Sequence, residues 1–210
     1  SCLMYGFKRG LYSNEAGIGS APNAAAAADV SHPAKQGLVQ MLSVFIDTLL
    51  LCTATAFMCM CSGVTPAADL AGAPYVQAAL SATFGSIGPV FIAVAMLLFA
   101  FTTLLGNFYY IENCFAYILK KKPSKVFMNT VRVVGAVLIF LGAVVSFGFA
   151  WDMADICQCM LAFINIPSCV LLGGVAYRAL DDYTAQKKEG KNPTYKAAAN
   201  GVKEKTDFWT

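Results

Sequence analysis

Charge is what this 210-residue sequence has least of: Asp, Glu, Lys and Arg together make 13% of it, against 58% hydrophobic residues. So little charge excludes a disordered chain and an ordinary soluble domain. Histidine is scarcer still, with His32 standing alone, and one imidazole cannot complete a zinc ligand set. No Ser/His/Asp arrangement, paired carboxylates or metal cluster is present, which argues against an enzyme and against a transition-metal site. A phosphate-cradling loop is missing as well, because Gly17-Ile18-Gly19 lacks both a third glycine and a preceding strand. No nucleic-acid partner is expected.

What the chain does have is length without charge. Gly37 to Ser62 carries a single charged residue, Asp47, and Gly88–Ile111, Val133–Trp151 and Ile156–Tyr177 carry none. At 1.5 Å per residue, a run of about 25 residues makes roughly 38 Å of helix, more than the roughly 30 Å hydrocarbon core of a bilayer. The fold class is therefore all-α integral membrane, with four crossings in the lipid bilayer. The eight cysteines fall mostly inside these runs and are expected to pack as small apolar side chains, with a Cys59–Cys157 type bridge as the alternative.

The basic residues set an orientation. Lys8, Arg9 and Lys35 precede the first run, Lys120, Lys121, Lys122, Lys125 and Arg132 separate the second from the third, and the others follow Arg178. The segments Gly63–Ser86 and Gly148–Asp155 contain only Asp69, Asp152 and Asp155. Alternate loops are thus basic and bare, as the preference for positive charge on the cytoplasmic side requires, and the C-terminus is expected in the cytoplasm.

The expected divisions are 1–36 (a short helical piece and cytoplasmic loop), 37–62 (transmembrane), 63–88 (extracellular loop with a short helix at Tyr75–Phe84), 89–119 (transmembrane), 120–126 (basic cytoplasmic loop), 127–150 and 156–177 (transmembrane) and 178–210 (a solvated cytoplasmic tail of low order). Tyr12 to Pro22 concentrates Gly17, Gly19 and Pro22, so regular helix is expected to fail there. Ser31 and Pro33 form an N-terminal signal for the first crossing, and His32 reads as a loop or interface residue, with a proton relay as the alternative. Gly135, Gly142 and Gly148 suggest close helix packing. Asn165, Pro167 and Ser168 lie near the middle of the fourth crossing, where the proline implies a kink.

Asp47 falls about 15 Å along its helix, near the bilayer midplane, where an ionised side chain costs several kcal/mol unless paired or hydrated. Thr48, Cys52 and Thr55 continue a narrow polar stripe from it. In the second crossing Thr102, Thr103 and Asn107 stand at membrane depth; Thr103 and Asn107 share a face, with Phe99 one turn earlier. Either these groups converge on a polar site or the threonines bond their own backbone carbonyls.

The run KRGLYSNEAGIGSAPNAAAAADVSHPAKQGLVQMLSVFIDTLLLCTATA, continued by FAFTTLLGNFYYIENC and more weakly through the fourth crossing, closely resembles the signature region of the alanine or glycine:cation symporter family, the sodium:alanine symporters. The resemblance covers most of residues 5 to 177. It implies a partial leucine-transporter-like inverted-repeat fold, core helices 6b to 10, with residues 1–36 as the inner half of broken helix six and its loop. The break lies either just upstream of Ser1 or within Ser13 to Gly19. It also implies sodium-coupled symport of alanine or glycine across the plasma membrane, by a protein of which this chain is the C-terminal half and the N-terminal half is missing.

Carried over residue by residue, the resemblance implies that Phe7, Leu11, Thr103 and Asn107 line the substrate pocket. Phe99, Thr102, Thr103 and Asp47 would hold Na+ as coupling ion, with no other cofactor. Two other readings remain: proton coupling through Asp47 in the same fold, and a structural membrane subunit in which the polar groups only join helices.

Overall fold

A computed structural model describes residues 2–15, 17–67, 70–202, Thr206 and Trp209, with Tyr12 described in its backbone alone. Among the described residues there is no strand. Eight α-helices follow one another: α1 (Cys2–Ser13), α2 (Ala21–Ala25), α3 (Pro33–Phe45), α4 (Cys52–Cys61), α5 (Ala73–Phe84), α6 (Ile87–Leu119), α7 (Lys125–Val144) and α8 (Phe147–Lys188). A π-helical segment, Ile46–Leu51, joins α3 to α4. Four stretches are long and apolar enough to cross a membrane: Pro33–Cys61, Ile87–Leu119, Lys125–Val144 and the 42-residue Phe147–Lys188. Their large apolar side chains are mostly exposed, Leu97, Phe140 and Leu171 among them. Apolar surface of that extent needs lipid or further protein against it.

The chain divides into two compact units, Ser1–Val44 with Gly135–Thr210, and Phe45–Val134. In the second, α5 packs on α6, and the corner between them depends on two glycines. Gly85 takes φ +62°, and Gly88 is buried where a β-carbon would lie 2.7 Å from the Leu80 carbonyl carbon. Such an approach admits only glycine.

In the first unit the chain leaves helical geometry between Ser13 and Ala21, with Glu15 at φ +58° and Gly19 at φ +81°. Helix thus stops and restarts across the glycine-rich stretch, with α1 before it and the short α2 after it. Lys8 Nζ pairs with Asp155 Oδ2 at 2.6 Å, and the Arg9 guanidinium lies 4.0 Å from the Trp151 ring centre. This corrects the grouping of Lys8 and Arg9 with Lys35. Lys35 bonds Asn192 beyond the far end of α8, and Asp155 and Asp182 are 27 residues apart on that helix, about 40 Å along its axis. The loop rule counts bare charges, whereas these two are compensated by a carboxylate and an aromatic face.

The turn between the third and fourth crossings also falls earlier than expected. α7 stops at Val144, and Ser146, in extended geometry, caps α8 by accepting from the Phe149 amide at 3.4 Å. The stretch Trp151 to Asp155, expected between the third and fourth crossings, is therefore helical: a serine N-cap sets the start of α8 ahead of it. A β-carbon at Gly142 or Gly148 would meet nothing within 4 Å among the described residues, so the close packing expected of them is not made there. All eight cysteines are free thiols and all but the half-buried Cys59 are exposed, which corrects both the buried-thiol expectation and the bridge.

The low-order tail is a further correction. Tyr195 and Ala197 pack with Ala179, and Trp209 sets its ring edge-on to Tyr195 at 5.8 Å. Ser31 accepts the Tyr195 amide through its carbonyl and donates its hydroxyl to Pro193 O at 2.8 Å. His32 is fully buried between the rings of Tyr183 and Tyr195. Its Nδ1 accepts from the Ala34 amide at 3.1 Å, which leaves the proton on Nε2, facing Asp182 Oδ2 at 3.3 Å. Sparse aromatic residues at the right spacing dock this tail despite its polar average.

Asp182 lies past the apolar stretch of α8, which ends at Tyr177. Burial pushes its carboxyl up, but hydrogen bonds from Gln186, His32 and Asn200 outweigh that and hold it below the ordinary 3.8. A carboxyl lowered by folding adds stability that is complete above its unfolded value and is lost as pH falls through the folded one. Asp182 is therefore expected to hold the tail undiminished down to about pH 4 and to release it only below that. Trp209 emission in a Trp151→Phe background reports this. A loss that begins near neutral pH and disappears in Asp182→Asn would contradict it.

Candidate functional site

The π-helical segment is the local feature that singles out Asp47. The Cys52 amide bonds the Asp47 carbonyl, five residues back, so one extra residue is accommodated in the turn. Such bulges occur frequently at functional sites, because they redirect side chains from the regular helical face. Asp47 is half-buried, and its Oδ2 is inaccessible and has no hydrogen-bond partner among the described residues. A buried carboxylate oxygen without a donor costs several kcal/mol in an apolar span, and a cation is the simplest group that relieves it.

On α6, Thr102 Oγ1 donates to the carbonyls of Leu98 at 3.0 Å and Phe99 at 3.1 Å. The alternative of backbone bonding thus holds for Thr102. It uses the hydroxyl proton and leaves the oxygen lone pairs available, and the Phe99 carbonyl keeps one of its own. Thr103, Asn107 and Phe99 are exposed. The oxygens present, a carboxylate, two hydroxyls and a carbonyl, are the hard donors an alkali cation takes. Asp47, Phe99, Thr102, Thr103 and Asn107 belong to one unit, while Phe7 and Leu11, a turn apart on α1 and both exposed, belong to the other.

The first unit contains a cavity of about 830 Å³, bordered by Ala25 to Asp29, by Gln36 and Gln40 on α3, and by Asn165 and Cys169 on α8. Neither Phe7 nor Leu11 lines it. Residue-by-residue reading missed this space: one wall is the run Ala25 to Ala28, which announces helix and nothing else, and the rest comes from residues far apart in sequence. The amide of Asn165 beside Pro167 was the available signal.

Membrane-length apolar helices with polar atoms left inside them are the build of a multi-pass membrane protein. A model of the sodium:alanine symporter family matches residues 1–197, and the chain belongs to that family. It is 47% identical over 195 residues to the amino-acid carrier protein AlsT of Bacillus subtilis (93% of this chain, 41% of that protein). It is 43% identical to the probable sodium/glutamine symporter GlnT of the same organism (93% and 40%). A sodium/proton-dependent alanine carrier protein of Bacillus sp. is 40% identical (100% and 50%). The chain spans two fifths to one half of the length of these relatives. No solved structure gives a significant match.

Proposed function

We propose that this chain is the C-terminal part of a sodium-coupled symporter that brings a small neutral amino acid, alanine or glycine, across the plasma membrane by alternating access. The observation that carries the reading is the orphaned Asp47 Oδ2 within a π-helical turn of an apolar span, in a chain of the sodium:alanine symporter family. In a leucine-transporter-like frame α1 and α2 are the two halves of a broken helix, and the tail lies on the cytoplasmic side. Asp47 and the Thr102 and Thr103 hydroxyls would hold the ion. Thr103 and Asn107, with Phe7 and Leu11, would receive the amino acid.

Coupling requires that ion and amino acid together favour a closed state more than either does alone, and this linkage is reciprocal: sodium tightens the amino acid by the factor by which the amino acid tightens sodium. Thr103, assigned to both sites, is where the two meet. The N-terminal part of the transporter supplies the remaining walls.

Reconstituted into liposomes, the whole protein is expected to accumulate labelled alanine under an inward sodium gradient. The relative named for sodium and protons keeps a second reading in view, coupling to protons through Asp47. Uptake that persists without sodium and collapses with a protonophore selects that reading. Thr103→Val keeps shape and removes one hydroxyl, and is expected to raise the half-saturating alanine concentration by about tenfold, the worth of one neutral hydrogen bond. An unchanged value removes Thr103 from the site.

A further inference from the structure

Where α1 gives way to α2, at the level of the middle of α8, the backbone of Gly17 to Gly19 is not helical, and its carbonyls have no intrahelical partners. Inside a membrane such a carbonyl must find a donor from a neighbouring element. Asn165 provides it: Nδ2 donates to Gly17 O at 3.0 Å. The other end of the same amide fixes the next glycine. A β-carbon on Gly19, whose φ is +81°, would sit 2.4 Å from Asn165 Oδ1.

The turn is tied in the other direction to α1, since the Gly17 amide donates to Leu11 O at 2.9 Å and a β-carbon there would meet Leu11 Cδ2 at 2.4 Å. Immediately after the turn, Ser20 Oγ is buried with no hydrogen-bond partner among the described residues. Asn165 and Gly19 both border the cavity described above. An aspartate at 165 would set a carboxylate against the Gly17 carbonyl, and a leucine would leave that carbonyl without a donor. Of these three nearly isosteric side chains only the amide presents a donor to one glycine while fitting against the other.

We propose that Asn165 is a positioning residue of the carrier: it fixes the Gly17–Gly19 turn to α8 and thereby sets where Leu11 and the cavity wall stand when the amino acid binds. This rests on the transport reading above. It assigns Asn165 no contact with cargo.

The test uses the whole protein with Asn165→Leu, Gly19→Ala and the double variant Asn165→Ala with Gly19→Ala. Hydrogen exchange at the amides of Gly17 to Ser20 is expected to quicken at least about tenfold in Asn165→Leu, with the Tyr195 amide of the docked tail unchanged. In sodium-driven uptake, Asn165→Leu is expected to raise the half-saturating alanine concentration about tenfold while the maximal rate falls less. Gly19→Ala is expected to be worse alone than with Asn165→Ala, because the alanine removes both Oδ1 and Cγ, the atoms at 2.4 and 2.6 Å that the new methyl meets. A general loss of structure would not give that allele-specific rescue.

Unchanged exchange at the turn overturns the proposal, as does quickened exchange with an unaltered concentration dependence. A wild-type protein that carries no amino acid under any gradient fails the transport reading before a variant is made. The carrier role then fails with it, and exchange still decides separately whether Asn165 clamps the turn.

Discussion

Asp47→Asn in the complete transporter is expected to raise the sodium concentration for half-maximal alanine uptake by about a hundredfold, because an ionised ligand contributes up to about 3 kcal/mol to a charge-assisted contact. Asparagine retains the volume and one oxygen at nearly the same position, so helix packing survives. The substitution separates three roles for this residue. If Asp47 only joined helices, a neutral amide would serve as well as the acid and uptake would stay within about twofold. If Asp47 carried a proton, no sodium concentration would restore accumulation, and exchange of amino acid across the membrane without net uptake would remain. If Asp47 ligates sodium, the loss is overcome by excess sodium and the maximal rate returns. Uptake measured from 1 mM to 500 mM external sodium, each concentration approximate, distinguishes them. Asp47 Oδ2 has no hydrogen-bond partner among the described residues, and in an apolar span such an atom is costly unless something occupies it for part of the transport cycle.

Elements whose determinants are local were readable from the residues. α6 runs from Ile87 to Leu119, since a run with Glu112 as its one charge, bounded by a glycine corner and three lysines, leaves little choice of helix ends. The short helix after α4 was legible from its apolar face behind Gly72 and Pro74. What was not legible depends on partners distant in sequence. Lys8 looks like a cytoplasmic charge until Asp155, 147 positions later, is found beside it. The tail looks solvated until Tyr195 closes over His32. The π-helical turn has no compositional mark, because one extra residue in a helix is fixed by what the redirected side chains meet. Of the expected site, the back-bonded Thr102 was anticipated as one of two outcomes, and Asp47 stands half-buried in its apolar span. The cavity beside Asn165 was not, because nothing in a run of alanines specifies what they enclose.

Gly88→Ala is expected to cost about 3 kcal/mol, at the upper end for overpacking by one methyl. Most glycine-to-alanine changes inside helices stabilise, by about 0.5 to 1 kcal/mol, since alanine loses less backbone freedom on folding. Gly88 reverses the sign because of what its β-carbon would meet: the Leu80 carbonyl carbon at 2.7 Å, its oxygen at 2.8 Å and the Ser81 amide nitrogen at 2.8 Å. These are backbone atoms of a helix, not the tip of a side chain, so relief requires α5 to move as a body. α5 is braced at that point, with Ala79 and Leu80 buried and the chain reversing through Gly85. Displacing it would tilt the start of α6, and Thr102 lies 14 residues further along that helix, about 21 Å away, so a tilt of a few degrees moves its hydroxyl by about 1 Å. Thermal unfolding of the purified protein, read beside uptake, is expected to show both a loss of stability and a weaker response to sodium. Gly142→Ala provides the contrast. Its β-carbon would meet nothing within 4 Å among the described residues, so Gly142→Ala is expected to leave stability unchanged or slightly raised. A Gly88→Ala protein as stable as wild type would mean that α5 and α6 do not pack as closely as described.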